Sequence, residues 1–228
     1  MTQTKTHALV VATHNKGKLD ELRQIFADLD VTLLSLDDVG RGTFTVVEDG
    51  DTFEANAVKK ARAVAAATMM MTLADDSGLE VDALGGAPGV RSARYAHGRA
   101  TDAENNAALL GAIEALTKDP TGTGAGEGAL KARFRCVLAL VDPFLRDGEP
   151  HVVDGACEGE ITRTPRGSGG FGYDPLFLVD GTDRTMAELS EAEKNQVSHR
   201  AKASAKMKLA LEKVLAERDT FTRRVSGE

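Results

Sequence analysis

The sequence predicts an α/β protein built on a mixed β-sheet, and three observations carry that expectation. Short apolar runs alternate with stretches whose apolar residues recur at three- and four-residue steps, the marks of strands and helices in turn. Capping signatures stand before several of the helical stretches. Two extended runs flank the turn signal Asp147-Gly148, which calls for at least one antiparallel pair.

In chain order, residues 7–13 (HALVVAT) read as a buried first strand. From Lys18 onward Leu19, Leu22, Phe26 and Leu29 mark an amphipathic helix, so Thr13 to Gly17 is a strand-to-helix turn. Asp51-Thr52-Phe53-Glu54 starts a second helix that runs through an alanine-rich stretch to about Thr68. Met69 to Ala74 reads as a second core strand, with Asp75-Asp76 at its C-terminal end. Thr101-Asp102-Ala103-Glu104 caps another helix, with Leu109, Ile113 and Leu116 on its buried face. The Gly/Thr-rich stretch 119–130 is expected to be a flexible loop. Phe134 to Val141 and a second strand near His151 to Val153 make a hairpin with a long loop, the chain then continues extended through Glu160-Ile161-Thr162, and Leu176 to Val179 is another short strand. The final helix has two candidate caps, Ser190 and Ser198, and ends near Arg218, leaving 219–228 as a frayed tail. There is no internal repeat and no clear linker, so residues 1–228 are expected to be one domain.

Composition narrows the function. The chain has 228 residues, 28% of them charged, and a net charge of −7. Binding to DNA or RNA needs a basic face that displaces counterions, so a polynucleotide partner is not expected. With only Tyr95 and Tyr173 and no tryptophan, a stacking platform for single strands is also disfavoured. Cys136 and Cys157 form no CxxC motif, which fits a reducing compartment. No run approaches the ~20 apolar residues of a membrane span. The expectation is a cytoplasmic protein without a membrane partner.

Four constellations carry chemistry. The turn Thr13-His14-Asn15-Lys16-Gly17-Lys18 follows a strand and opens a helix. Its backbone N–H groups, the roughly half positive charge of the helix N-terminus and two lysines suit a phosphate. It is not a Walker loop. Asp75-Asp76-Ser77-Gly78 offers oxygen ligands of the kind Mg²⁺ prefers, or else a plain turn. Successive strand residues face opposite ways, so one of the two aspartates faces the site. Glu48 and Asp49 lie before the second helix and Lys60 within it. Gly167 to Gly172 spells GxGxxG, but Tyr173-Asp174-Pro175 follows instead of a helix, so no dinucleotide fold is read. The loop is expected to bring backbone close to a ligand, with Phe171 or Tyr173 beside a planar ring. Lys194, His199 and Arg200 gather donors, or form a charged helix face. Neither GxSxG nor HExxH occurs.

These segments resemble the inosine triphosphate pyrophosphatase family from Leu9 to about Ala205. The resemblance rests on Thr13–Lys18, Thr52–Ala61 (TFEANAVKKA), Ala74–Ala96, Gly169–Phe177 (GGFGYDPLF) and Ala187–Arg200 (AELSEAEKNQVSHR), in the family's order. It implies a long mixed sheet with two α/β lobes, a substrate cleft between them and a homodimer. It implies Mg²⁺-dependent hydrolysis of non-standard purine triphosphates (ITP, dITP, XTP) to monophosphate and pyrophosphate, which clears damaged purines from the precursor pool. By the same resemblance Thr13, His14, Asn15, Lys16, Gly17 and Lys18 hold the triphosphate, and Lys60 reaches it. Asp76 is the metal-linked catalytic carboxylate with Asp75 beside it, and Glu48 is a second metal ligand. Ser77, Phe171, Gly172, Tyr173, Asp174, Lys194, His199 and Arg200 form the base and substrate pocket. The family often has glycine where this chain has His14. Two other readings stand beside it: a Maf-like nucleotide pyrophosphatase and a catalytically silent nucleotide binder.

Overall fold

The structure is a computed structural model that describes residues 6–117 and 130–226. Residues 118–129, where the flexible loop was expected, lie outside the described residues. The described chain forms six strands in one sheet: β1 (His7–Val11), β2 (Val31–Leu34), β3 (Thr72–Val81), β4 (Leu130–Val141), β5 (His151–Ile161) and β6 (Phe177–Val179). Their order is β2-β1-β3-β4-β5-β6. β1 pairs in parallel with β2 (His7 opposite Val31) and with β3 (Val10 opposite Thr72). β5 pairs antiparallel with β6 (Ile161 opposite Phe177), so the sheet is mixed. β4 and β5 lie side by side, as the expected hairpin requires.

Five α-helices accompany the strands: α1 (Lys16–Ile25), α2 (Phe53–Thr68), α3 (Asp102–Thr117), α4 (Glu191–Val197) and α5 (His199–Ser226). α2 buries Ala57, Ala61, Val64 and Ala65, a stripe at four- and three-residue steps. The Thr52 hydroxyl caps it by accepting from the Ala55 N–H at 3.1 Å. Its C-terminal end passes through Met69 in the left-handed conformation (φ 54°).

By its internal contacts the chain divides into two compact units. One comprises Met1–Asp76, Val137–Asp154 and Ala203–Glu228, and the other Ser77–Cys136 and Gly155–Lys202. The first has a core that includes Leu9, Val10, Leu22, Phe26, Leu73, Leu138 and Leu211. The second is centred on Leu79, Leu109, Ile113, Phe134, Tyr173 and Phe177. Phe134 and Phe177 pack there with ring centroids 4.5 Å apart. Removing a fully buried ring such as Phe177 costs about 3–5 kcal/mol. β5 approaches that ring closely because it carries Gly159, where a methyl group would strike the Phe177 ring and the Leu178 carbonyl.

The structure differs from the sequence reading in several places. β2 was not anticipated, because four residues are too few to show a period. β3 does not end at Asp75-Asp76 but carries both in its interior. Buried acids look like a strand end in sequence and are tolerated here because each finds a partner. Both candidate caps are used: Ser190 forms a capping box on α4, and the Ser198 hydroxyl accepts from the Ala201 N–H at the start of α5. α5 then continues to Ser226 rather than stopping near Arg218.

Candidate active site

The phosphate-type turn is built by a cap. Asn15 is the N-cap of α1, and its side-chain oxygen accepts from the Lys18 N–H at 3.2 Å. Helix therefore begins at Lys16, not Lys18, and Asn15 organises the turn from within. Gly17 leaves room for that cap, since a methyl there would lie 3.2 Å from the Asn15 oxygen. The Thr13 hydroxyl accepts from the Asn15 N–H at 3.2 Å. His14 points out of the turn, its Nε2 2.9 Å from the Phe44 carbonyl. The Lys18 N–H is taken by the Asn15 side chain and the Leu19 N–H by the Asn15 carbonyl, and Lys16 lies exposed at this helix N-terminus.

The two aspartates of β3 take different partners, as strand alternation demands. Asp75 is 3% exposed and pairs with the Lys18 ammonium at 2.7 Å. Asp76 is 8% exposed and accepts from the Asn56 side-chain amide at 3.0 Å. Asn56 is itself fully buried and held from α2 by the Gly50 N–H, 2.8 Å from its oxygen. Lys60, one turn along α2, donates to the Asp75 carbonyl at 2.9 Å and pairs with Glu48 at 2.8 Å.

These placements set the proton affinities. Burial pushes Asp76 up to about 6; the Asn56 hydrogen bond opposes the rise, Glu48 and Asp75 add to it, and Lys60 opposes it. Burial pulls Lys60 down, but the charges of Asp75 and Glu48 outweigh it and hold the ammonium above its usual value. So Asp76 is a carboxylate poised near neutrality, and Lys60 is a fixed cation. Asp76 and Glu48 offer carboxylate oxygens. Hard oxygen donors of this kind fit Mg²⁺, which takes one or two carboxylates and fills its shell with water and phosphate. Among the described residues no three His, Cys, Asp or Glu side chains form a complete metal site.

The second constellation gathers in the unit that begins at Ser77. Arg200 donates to the Ser77 hydroxyl at 3.3 Å and lies over the Phe171 ring, 5.7 Å from its centroid. Phe171 is 49% exposed, so its ring is available to a ligand. Lys194 pairs with Asp174 at 3.5 Å. Burial raises Asp174 to about 6 against the opposing charge of Lys194. Asp174 also closes the loop by accepting from the Phe171 N–H at 3.3 Å. Gly170 (φ 80°) sits beneath this pair, where a methyl group would collide with the Asp174 carboxylate.

The Ham1 family profile matches residues 9–210. The chain belongs to the Ham1 family. It is 48% identical over 198 residues to the dITP/XTP pyrophosphatase of Desulforamulus reducens, covering 87% of this chain and 92% of that protein. It is 49% identical over 200 residues to the dITP/XTP pyrophosphatase of Geobacter sulfurreducens, covering 88% and 94%. A HAM1 protein of Coxiella burnetii superposes with a TM-score of 0.80 at 40% identity, over 91% of this chain and all of that one.

Within this Ham1 fold the sequence-expected residues are sorted rather than simply collected. Thr13, Asn15 and Gly17 build the turn, and Lys16 lies exposed at its helix end. Lys18 and Lys60 meet Asp75 and Glu48. Phe171, Asp174, Lys194, Arg200 and Ser77 are brought together. Tyr173 departs from expectation. It lies in the core at 4% exposure, and its hydroxyl donates to the Ser92 carbonyl at 2.8 Å. Of the two rings considered for base stacking, only Phe171 is presented. The His199 ring stacks on core Phe134 with centroids 5.0 Å apart, which fixes its plane. Asn56 was missed, although it lies within the quoted TFEANAVKKA segment. A lone asparagine in an alanine-rich helix was the available signal, because a buried amide there demands a partner.

Proposed function

We propose that this chain hydrolyses non-standard purine nucleoside triphosphates of the ITP, dITP and XTP type to the monophosphate and pyrophosphate. The observation that carries the chemistry is Asp76, a buried acid held by Asn56, raised towards neutrality and flanked by Lys60. The substrate class follows from the relatives named dITP/XTP pyrophosphatase.

In this reading the N–H groups of the α1 turn and Lys16 bind the triphosphate, with Lys18 and Lys60 adding positive charge. Asp76, with Glu48 as a second candidate, would hold Mg²⁺, which would supply neutralisation of the charge developing on the phosphates. Asp76 orients the attacking water and takes its proton, while the bond between the α- and β-phosphates breaks. A carboxylate with a pKa near 6 is a stronger base than an ordinary aspartate and is still ionised at neutral pH. Asn56 keeps that carboxylate in one rotamer. Phe171 stacks on the base, and Lys194 and Arg200 present donors to the oxygen at purine position 6. Adenine carries an amino donor at that position and would face donors in turn. A buried mismatch of this kind discriminates by up to roughly 10⁴-fold. Among the described residues no helix is long and apolar enough to cross a membrane. A cytoplasmic location and a homodimer complete the proposal, the latter to be read by sedimentation.

The deciding experiment is product analysis with Mg²⁺ and, separately, ITP, XTP, GTP and ATP. Monophosphate and pyrophosphate from ITP and XTP, with ATP nearly untouched, is the expected result. Diphosphate and orthophosphate would refute the site of cleavage. Bound but uncleaved ITP would point to a silent binder instead.

A further inference from the structure

The loop that presents Phe171 is gripped from outside the residues so far assigned to nucleotide binding. Gly172, next to Phe171, is held at both its backbone polar groups by one helix. Its N–H donates to the Asp102 carboxylate at 2.7 Å, and its carbonyl accepts from the Asn106 side-chain amide at 3.0 Å. Asp102 and Asn106 are four residues apart at the start of α3, so they stand on one face. Gly172 has φ 62° and open space where a side chain would be, so no side chain of its own restricts it, and these two bonds hold its peptide groups. Glycine in such a loop loses more freedom on ordering than any other residue.

The Asn106 contact has a cost that marks its purpose. While its nitrogen serves Gly172, its side-chain oxygen is buried with no hydrogen-bond partner among the described residues. A buried acceptor left unmet opposes folding, and an apolar residue of similar size would avoid that cost. Stability alone therefore does not explain the asparagine, whereas control of the Gly172 peptide does. Ordering that peptide in advance fixes the plane of Phe171 under the Arg200 guanidinium and lowers the entropy cost of stacking a base there.

We propose that Asp102 and Asn106 are positioning residues that clamp Gly172 and so pre-order Phe171 for the purine ring. The proposal rests on the pyrophosphatase reading for its ligand, but the clamp itself is testable without turnover.

The experiment compares Asp102→Ala, Asp102→Asn and Asn106→Leu in the full chain, using ITP with Mg²⁺. For Asn106→Leu we expect KM to rise about tenfold with kcat within about threefold, the scale of one lost hydrogen bond. Its Tm should be unchanged or higher, because the unmet acceptor is gone. Asp102→Ala should raise KM similarly, and Asp102→Asn, which keeps an acceptor for the Gly172 N–H, should restore it to within about twofold. Amide exchange at Gly172, followed by NMR, should quicken at least about tenfold in Asp102→Ala. A well-folded Asn106→Leu with wild-type KM would overturn the positioning role, as would unchanged Gly172 exchange in Asp102→Ala. A wild-type protein that cleaves no ITP would count against the pyrophosphatase reading, and the exchange measurement would still decide the clamp.

Discussion

Asp76 shows at the scale of one residue how a buried carboxylate opposes stability. Its folded pKa of about 6 stands above the ordinary aspartate value of 3.8, mainly because it is buried. The folded state therefore binds the proton more tightly than the unfolded chain does. The contribution of Asp76 to stability is present at acid pH and is lost as pH rises from about 4 to about 6. Asp76→Asn removes the charge that must be buried. Thermal melts in EDTA should show the variant gaining Tm over wild type as pH rises across that window, then holding a constant lead. The same substitution should reduce ITP turnover by at least about 100-fold, since it removes the proposed proton acceptor. Retained turnover would unseat Asp76. Asn56 acts on the same group from the other side, because its hydrogen bond holds the pKa of Asp76 down. In Asn56→Ala the acid limb of the kcat/KM profile should move to higher pH. An acid limb that stays in place would show that Asp76 is not the group titrating there. Stability should also fall, by roughly 1–3 kcal/mol for each polar group left unmet.

Secondary-structure elements reveal where the chain accepts local strain. α2 ends on Met69 in the left-handed conformation, with its N–H donating to the Ala65 carbonyl. That conformation suits glycine, because a Cβ there crowds the following carbonyl. Met69 is 55% exposed, so its side chain contributes little burial to offset the strain. Met69→Gly should therefore raise stability by about 0.5–1 kcal/mol in urea unfolding, with activity unchanged. A loss of stability would mean that the methionine side chain packs more productively than its exposure implies. The turn between β4 and β5 holds a similar pair, Arg146 and Asp147, both at positive φ. There the Arg146 guanidinium reaches the His151 ring at 2.6 Å, so its side chain has a polar partner, whereas the Met69 side chain is 55% exposed.

For the whole molecule, neither compact unit is one continuous piece of chain. β3, β4, β5 and α5 each pass from one unit into the other. A break in any of them interrupts both, so unfolding should be a single cooperative transition. The chain supplies its own probe. It has no tryptophan, and both tyrosines, Tyr95 and Tyr173, fall in the unit that begins at Ser77. Tyrosine fluorescence reports that unit, whereas far-UV circular dichroism reports all helices and strands. Their urea curves should coincide. A fluorescence midpoint displaced from the dichroism midpoint would show that the units unfold separately.

Much of this was legible from residues alone. The apolar runs and caps located β1, α2, α3 and β4, because local periodicity follows from which face is buried. The Thr13–Lys18 turn was legible because a strand, a capping residue and a helix occur in immediate succession. Motif order was enough to bring Asp76, Lys60, Phe171, Lys194 and Arg200 into one list. The partners of each residue in that list needed tertiary structure. Asp75-Asp76 looked like a strand end until Lys18 and Asn56, distant in sequence, supplied the partners that let β3 continue. Phe171 and Tyr173 are two residues apart and equally aromatic, yet only the packing of the Tyr173 hydroxyl against Ser92 decides which ring stays outside. Sequence by itself determined the elements and the chemical inventory, because those depend on neighbours in the chain. The tertiary structure decided which partner each acid takes, which ring is exposed and what the Gly172 backbone bonds to. Burial and pairing between distant residues set each of these, and no local pattern encodes them.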